Sequence, residues 1–312
     1  MAALEDTGIH VRWLRADGTV NQPEPEPGTV VQVERMPVAL DPASFDGLPS
    51  DSWVIRPTGL HWVARTGGGT AGMLARLSSK ARRGAQLGLR SLAQLECHHS
   101  HPVDVVEFEA WSQLYKAQVE RMTHGRDYAS MFRDETIASD SPFHLVTWRA
   151  GAALVAGILY RLDLERDALV ARFGAVATDR RDAELPRGMY LTLAQVAHDL
   201  GLEWLSLGND ANFYGTATSP GLAAFKLRLG FTPVPSVAMG NSACRTVADR
   251  VLDFSGMTPP VLRFAYTSVP TRRDAPDSFV DGPDRLELVS TAPRGFTDAV
   301  LSSLPVHRAI PV

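Results

Sequence analysis

The sequence predicts an α/β (α+β) chain built on a mixed, mostly antiparallel sheet flanked by helices. Two stretches carry that reading. Residues 143–148, 152–162 and 168–176 alternate or run apolar over strand lengths, with short polar turns at 149–151 and 163–167, the pattern of an antiparallel meander. Residues 188–231 then read helix, strand, Gly/Asn-rich loop, helix, strand, an order that, following the meander, predicts a splayed cleft between 168–176 and 202–207.

In chain order, 9–14 has strand character, and NQPEPEPG at 21–28 excludes a regular element. Residues 30–33 read as a strand. Residues 52–63, with Trp53, Ile55, Leu60, Trp62 and Val63, read as one or two more. TGGGT at 66–70 lacks the spacing of any phosphate loop and reads as a mobile linker. Residues 77–92 form a short basic helix capped by Ser78 or Ser79, with Lys80, Arg82 and Arg83 close together. CHHSH at 97–101 is dense in metal-ligand types. Its spacing fits no structural zinc site, so it reads as a loop.

Residues 105–122 are an amphipathic helix with Phe108, Trp111, Tyr115, Val119 and Met122 on one face. His124, Arg126 and Tyr128 follow in a polar loop, and 131–137 adds a further helical turn. After the meander, Met189, Leu193, Val196 and Leu200 mark a helix face that Gly201 ends. GNDANFYGTATSPG is a loop into SPGLAAFKLRLGF, where Ser219 caps, Pro220 takes the first helical position and Gly230 stops the helix. Leu222, Phe225 and Leu229 form its expected buried face, with Lys226 off that stripe. Residues 261–266 read as the last strand and 270–283 as polar loop, and the pattern of 286–312 assigns no element.

The 312 residues are 45% hydrophobic, enough for a full core, and the formal charge of −4 gives no global field for nucleic acid. Local charge says more. Residues 52–95 hold no Asp or Glu but carry Arg56, Arg65, Arg76, Lys80, Arg82, Arg83 and Arg90. Such a stretch attracts phosphates or faces acidic segments elsewhere in the fold. Two cysteines make no disulfide framework. With no signal pattern and no long apolar run, a cytoplasmic location is expected.

Of 31 basic residues only Lys80, Lys116 and Lys226 are lysines. A lysine kept amid arginines suits proton transfer, which a guanidinium performs poorly. The helix–strand–helix–strand order and the closing FKLRLGF resemble the acyl-CoA N-acyltransferase (GNAT) fold. They are more specifically similar to its FemAB-type branch, the aminoacyl-tRNA-dependent peptide-bond formers. LSSKARRGAQLGL is similar to the segment that opens the catalytic region in that branch.

The resemblance spans roughly residues 75–240. It implies a degenerate N-terminal lobe over 1–100, a GNAT-like catalytic domain over 101–250 and an extension over 251–312. It places Lys226 where ordinary GNAT enzymes hold the tyrosine that protonates a leaving thiolate. The pyrophosphate cradle expected within ATDRRDAELPRG is reduced to Arg187 and Gly188, followed by the bulky Tyr190, which argues against CoA. Asn212, Tyr214 and Phe225, with Lys80, Arg82 and Arg83, are the remaining donor-side candidates. Arg126, Tyr128, Tyr160 and Arg172 are the acceptor-side candidates.

The leading expectation is transfer of an aminoacyl group from aminoacyl-tRNA to the amine of a small metabolite or cell-wall precursor. No metal or redox cofactor is expected. The alternative is an acyl-CoA-dependent N-acyltransferase, and a third reading is a non-catalytic nucleic-acid-binding module.

Overall fold

The computed structural model describes residues 9–15, 18–21, 29–46, 53–122, 125–177, 184–282, 284–291 and 307–309. The chain begins with strands β1 (Val11–Trp13) and β2 (Val33–Pro37), helix α1 (Pro42–Asp46), and strands β3 (Val54–Pro57) and β4 (Gly59–Arg65). Helices α2 (Gly69–Arg76) and α3 (Ser79–Leu92) follow, then β5 (Glu96–Ser100), α4 (Val105–Val119), α5 (Tyr128–Met131) and α6 (Arg133–Ile137). The meander is β6 (Phe143–Ala150), β7 (Ala153–Asp163) and β8 (Ala168–Val176). After it come α7 (Leu185–Asp199), β9 (Trp204–Ala211), α8 (Pro220–Arg228) and β10 (Thr232–Pro235). The remaining elements are β11 (Thr246–Val251), β12 (Leu262–Tyr266), α9 (Pro276–Val280), β13 (Leu286–Ser290) and β14 (His307–Ala309).

Contacts divide the chain into two units. One comprises Met1–Trp62, Asn209–Leu227 and Phe231–Val312, the other Val63–Gly208 and Arg228–Gly230. The two units interleave in sequence.

The unit containing the meander is a sheet in the order β9-β8-β7-β6-β5, with β4 on the other side of β9. β5, β6, β7 and β8 pair antiparallel in sequence order. β8 and β9 pair in parallel from Ala168↔Trp204 to Val170↔Ser206, so the two long strands share three registered residues before they part. That is the expected splay. α4 covers the meander through Phe108, Trp111, Tyr115 and Val119, packed with Leu145, Leu159 and Ala175. Burying each such large side chain contributes about 1.5–3 kcal/mol. Gly157 leaves the space that the Trp111 indole occupies. Met122, expected on the same face, is exposed, because α4 ends at Val119.

The other unit holds a four-stranded sheet, β1-β2-β11-β3, and a three-stranded sheet, β12-β13-β14. At its centre Asp249 accepts from Arg35 at 2.9 Å, Arg56 at 2.6 Å and Arg263 at 2.9 Å, all four side chains being buried. The three guanidinium groups, led by Arg56, outweigh burial and hold the Asp249 carboxyl below the usual aspartate range.

Several sequence expectations are corrected. TGGGT is no mobile linker: Gly68 takes a left-handed φ of 75° as the N-cap of α2, and Gly69 is its first residue. CHHSH lies mostly in a strand, β5, paired to β6. β9 runs through Gly208–Ala211, which had been assigned to loop. On α8 the buried residues are Pro220, Ala223, Ala224, Lys226 and Leu227, while Leu222 is exposed. An alanine-rich face packs close, and the lysine goes in with it. On α7 the buried face runs through Leu185, Met189, Leu193 and Ala197, leaving Leu200 exposed. β12 is followed by two more strands, and α9 interrupts the segment assigned to polar loop. The 21–28 loop (past Asn21), His124 and residues 178–183 of the ATDRRDAELPRG segment lie outside the described residues.

Candidate active site

α8 begins as its sequence dictates. Pro220 follows Ser219, whose hydroxyl accepts from the Gly221 amide at 3.2 Å. At the other end the Phe231 amide donates to the Lys226 carbonyl at 3.1 Å, and Gly230 takes φ 80°. This short helix carries Lys226 into the interior, 5% exposed.

The Lys226 ammonium donates to Asp210 Oδ2 at 2.7 Å. The same oxygen accepts from Trp62 Nε1 at 2.9 Å and from the Tyr214 hydroxyl at 3.0 Å. Trp62 Nε1 also lies 3.0 Å from the Tyr214 oxygen, closing the network. Lys226 Nζ stands 5.7 Å from the Trp62 ring centroid. Trp62 and Tyr214 are 0% exposed and pack edge-on against each other and against Phe264. Tyr214 is fixed by reciprocal backbone hydrogen bonds to Leu262, each 2.9 Å.

Burial pushes Lys226 below the usual lysine range, and the Asp210 carboxylate opposes that shift. Burial raises the Tyr214 phenol well above its ordinary value, with Asp210 adding to it, so Tyr214 stays a neutral donor. The arrangement is a cation in a dry site, held by one carboxylate and ringed by neutral donors. It can stabilise a developing oxyanion or deliver a proton.

Asp210 is what sequence reasoning missed. It is the next-to-last residue of β9, sixteen residues before Lys226, a separation with no helical or strand periodicity, and its only local signal is an acid within GNDANFYG. Trp62 had been read as a strand residue alone.

Of the other donor-side candidates, Tyr214 joins Lys226, but Asn212 does not. Its side chain donates to the carbonyls of Pro57 and Phe264 and accepts from the Phe264 amide, so it ties backbone segments together. Phe225 precedes the lysine and is half-buried.

The remaining candidates belong to the other unit. Arg82 donates to the carbonyls of Leu74, Ala75 and Leu77, closing the end of α2, while Lys80 and Arg83 are exposed. Arg187 pairs with Glu184. Gly188 meets the backbone of Gly88, where an added Cβ would lie 2.6 Å from a carbonyl carbon. Helix α3 therefore covers the start of α7 through Gly84 and Gly88, where a pyrophosphate cradle was sought. Tyr190 is half-buried on the same helix.

On the acceptor side, the Tyr160 hydroxyl lies 2.9 Å from His99 Nε2, and burial raises its pKa to about 12. Its ring stacks on His144 at 4.9 Å, and His144 stacks on His101 at 3.8 Å. Arg172 lies between the rings of Phe132 and Phe173, depressed by burial and then by Arg161. Arg126 is exposed, and Tyr128 opens α5. No group of three or more His, Cys, Asp or Glu among the described residues is placed to hold a metal. No helix among them is long and apolar enough to cross a membrane.

No protein-family model matches the sequence, and no curated protein is similar to it at a significant level. Among solved structures the chain is similar to FemX, with 12% identity over 71% of this chain and 72% of that one, at a TM-score of 0.47. It is similar to the C-terminal domain of a putative lysylphosphatidylglycerol synthetase from Agrobacterium fabrum, with 12% identity over 71% and 68%, at a TM-score of 0.41. It is also similar to L-PGS from Bacillus licheniformis, with 11% identity over 72% and 68%, at a TM-score of 0.37.

Proposed function

We propose that the protein is an acyltransferase that forms an amide bond, taking an aminoacyl group from aminoacyl-tRNA and passing it to an amine. The observation that carries this reading is the buried Lys226–Asp210 pair, with Trp62 and Tyr214 on the same carboxylate oxygen. An ordinary surface lysine would not be drawn into so costly an environment.

The acceptor amine attacks the ester carbonyl, the new C–N bond forms, and the bond to the ribose oxygen breaks. Lys226 donates its proton to that oxygen and recovers one from the attacking nitrogen. Asp210 holds the ammonium in place through both transfers. Tyr214, neutral and fixed, keeps its one O–H proton on Asp210 and so helps hold that carboxylate against the ammonium. Lys80 and Arg83, exposed and unopposed by any acid on α3, are the proposed contacts for tRNA phosphates. Arg82 serves the fold instead. Arg126, Tyr128, Tyr160 and Arg172 remain the proposed acceptor side, with Tyr160 acting through its bond to His99.

The test is incubation with charged tRNA, or with acetyl-CoA, over a panel of amines, with amide products read by mass spectrometry. Aminoacylated product that disappears with Lys226→Met supports the proposal. Acetylated product alone replaces it with CoA-dependent transfer, and no product from either donor refutes catalysis by this site.

A further inference from the structure

In the unit containing the meander, the turn from β4 into α2 faces the turn from α7 into β9. Between them lies a cavity of about 420 Å³ lined by Arg65, Gly67, Arg76, His198, Gly201 and Glu203, among others. That volume falls within the range of small-molecule sites. The lining is cationic at close quarters. The Arg76 guanidinium donates to the Arg65 carbonyl and meets no carboxylate among the described residues. Arg65 pairs with Glu203 and lies 4.5 Å from the Trp204 ring centroid. Among the described lining residues one carboxylate, Glu203, therefore faces two guanidinium groups.

We propose that this cavity binds a phosphate monoester, its phosphoryl oxygens held by Arg76 and Arg65 and its organic group lying toward Gly201 and Glu203. The walls suit that use. An added Cβ would meet nothing within 4 Å at Gly67 or at Gly201, so backbone lines open space on both sides. The floor is rigid, because the Thr66 amide donates to the Glu203 carbonyl at 2.9 Å and its hydroxyl to that of Leu202. Gly72 has no side chain, which lets the Gly67 carbonyl oxygen approach the place where a Cβ would sit and so shapes this turn. Burial and then the Arg65 charge lower Arg76 from its ordinary value, a repulsion that a dianion between the two groups would relieve. The planar guanidinium forks match the oxygens of a phosphoryl group in bidentate geometry. This inference does not depend on the proposed acyl transfer.

The test is calorimetric titration of the whole protein with glycerol 3-phosphate, inorganic phosphate, a short RNA oligonucleotide, and potassium chloride at matched ionic strength. Glycerol 3-phosphate should bind most tightly of these, and chloride should give no heat beyond dilution. Arg76→Gln should weaken glycerol 3-phosphate by about tenfold or more, since it removes a charge-assisted hydrogen bond. Gly67→Glu, at a position with room for a side chain, should abolish binding by placing a carboxylate in the cavity, and it keeps the test alive if the arginine variant unfolds. No response to either phosphate probe, an equal response in both variants, or a response to the oligonucleotide alone would overturn the assignment.

Discussion

Replacing Lys226 with methionine tests the site most directly, because stability and turnover should respond for different reasons. Methionine matches the lysine stem in length, so little packing is lost. The Asp210 carboxylate, however, loses its cation. Removing one partner of a buried pair costs about 3–5 kcal/mol. Asp210 keeps the Trp62 and Tyr214 donors, and its side chain is 11% exposed, which favours the lower end, about 3 kcal/mol. At roughly 2–4 °C per kcal/mol for a domain of this size, the melting temperature should fall by about 6–12 °C. Adding Asp210→Asn removes the stranded charge while keeping an acceptor for Trp62 and Tyr214. The double variant should recover most of the loss, giving a coupling energy of about 2 kcal/mol in a double-mutant cycle. Turnover should not recover. Loss of proton donation should lower kcat by about 10²–10⁴-fold in both variants, and Lys226→Arg should fail as well. Calorimetry and a single-turnover assay with charged tRNA read the two effects. A cycle with no coupling would refute the ion pair, and full turnover in the methionine variant would refute the catalytic role.

Charge reversal at Lys80 and Arg83 should raise the KM for charged tRNA and flatten its dependence on salt, since each phosphate contact releases counterion. An unchanged slope would leave both on the surface. Gly88→Ala should cost more than about 2 kcal/mol in urea unfolding, because the new Cβ would drive into the Glu184 carbonyl of α7; a neutral result would disprove the close helix approach. Burial and then the neighbouring His101 and His99 depress His144 to about 4 from the usual histidine value near 6.5. The unfolded chain therefore binds more protons between about pH 4 and 6.5, and stability should fall as pH drops through that window. His144→Phe should flatten the slope there, and an unaltered slope in urea titrations would exclude the histidine stack as its source.

The strand meander, the splay after it, the stop of α7 and the start and stop of α8 were legible in the sequence, whereas α7 starts at Leu185, inside the segment read as preceding it. Each depends on local chemistry: apolar periodicity, short turns, Pro220 at a first turn, and Gly201 and Gly230 at ends that need positive φ. Lys226 was legible too, as one of three lysines among many arginines and part of FKLRLGF. The interior of α8 was not. Its periodicity favours Leu222 and Phe225, yet the alanines beside Lys226 allow the close packing that buries it. TGGGT reads as flexible only until α2 stacks on α7. Seven uncompensated cations in 52–95 look like one basic field, but tertiary partners take several. Arg56 goes to Asp249, Arg65 to Glu203 and Arg82 to the end of α2. Asp210 became part of the site only when β9 ended beside α8. Local sequence sets where a strand or helix begins and stops because caps, turns and periodicity act over a few residues. Which charge meets which, across 16 residues for Lys226 and Asp210 or 193 for Arg56 and Asp249, is decided by the packing of elements far apart in the chain.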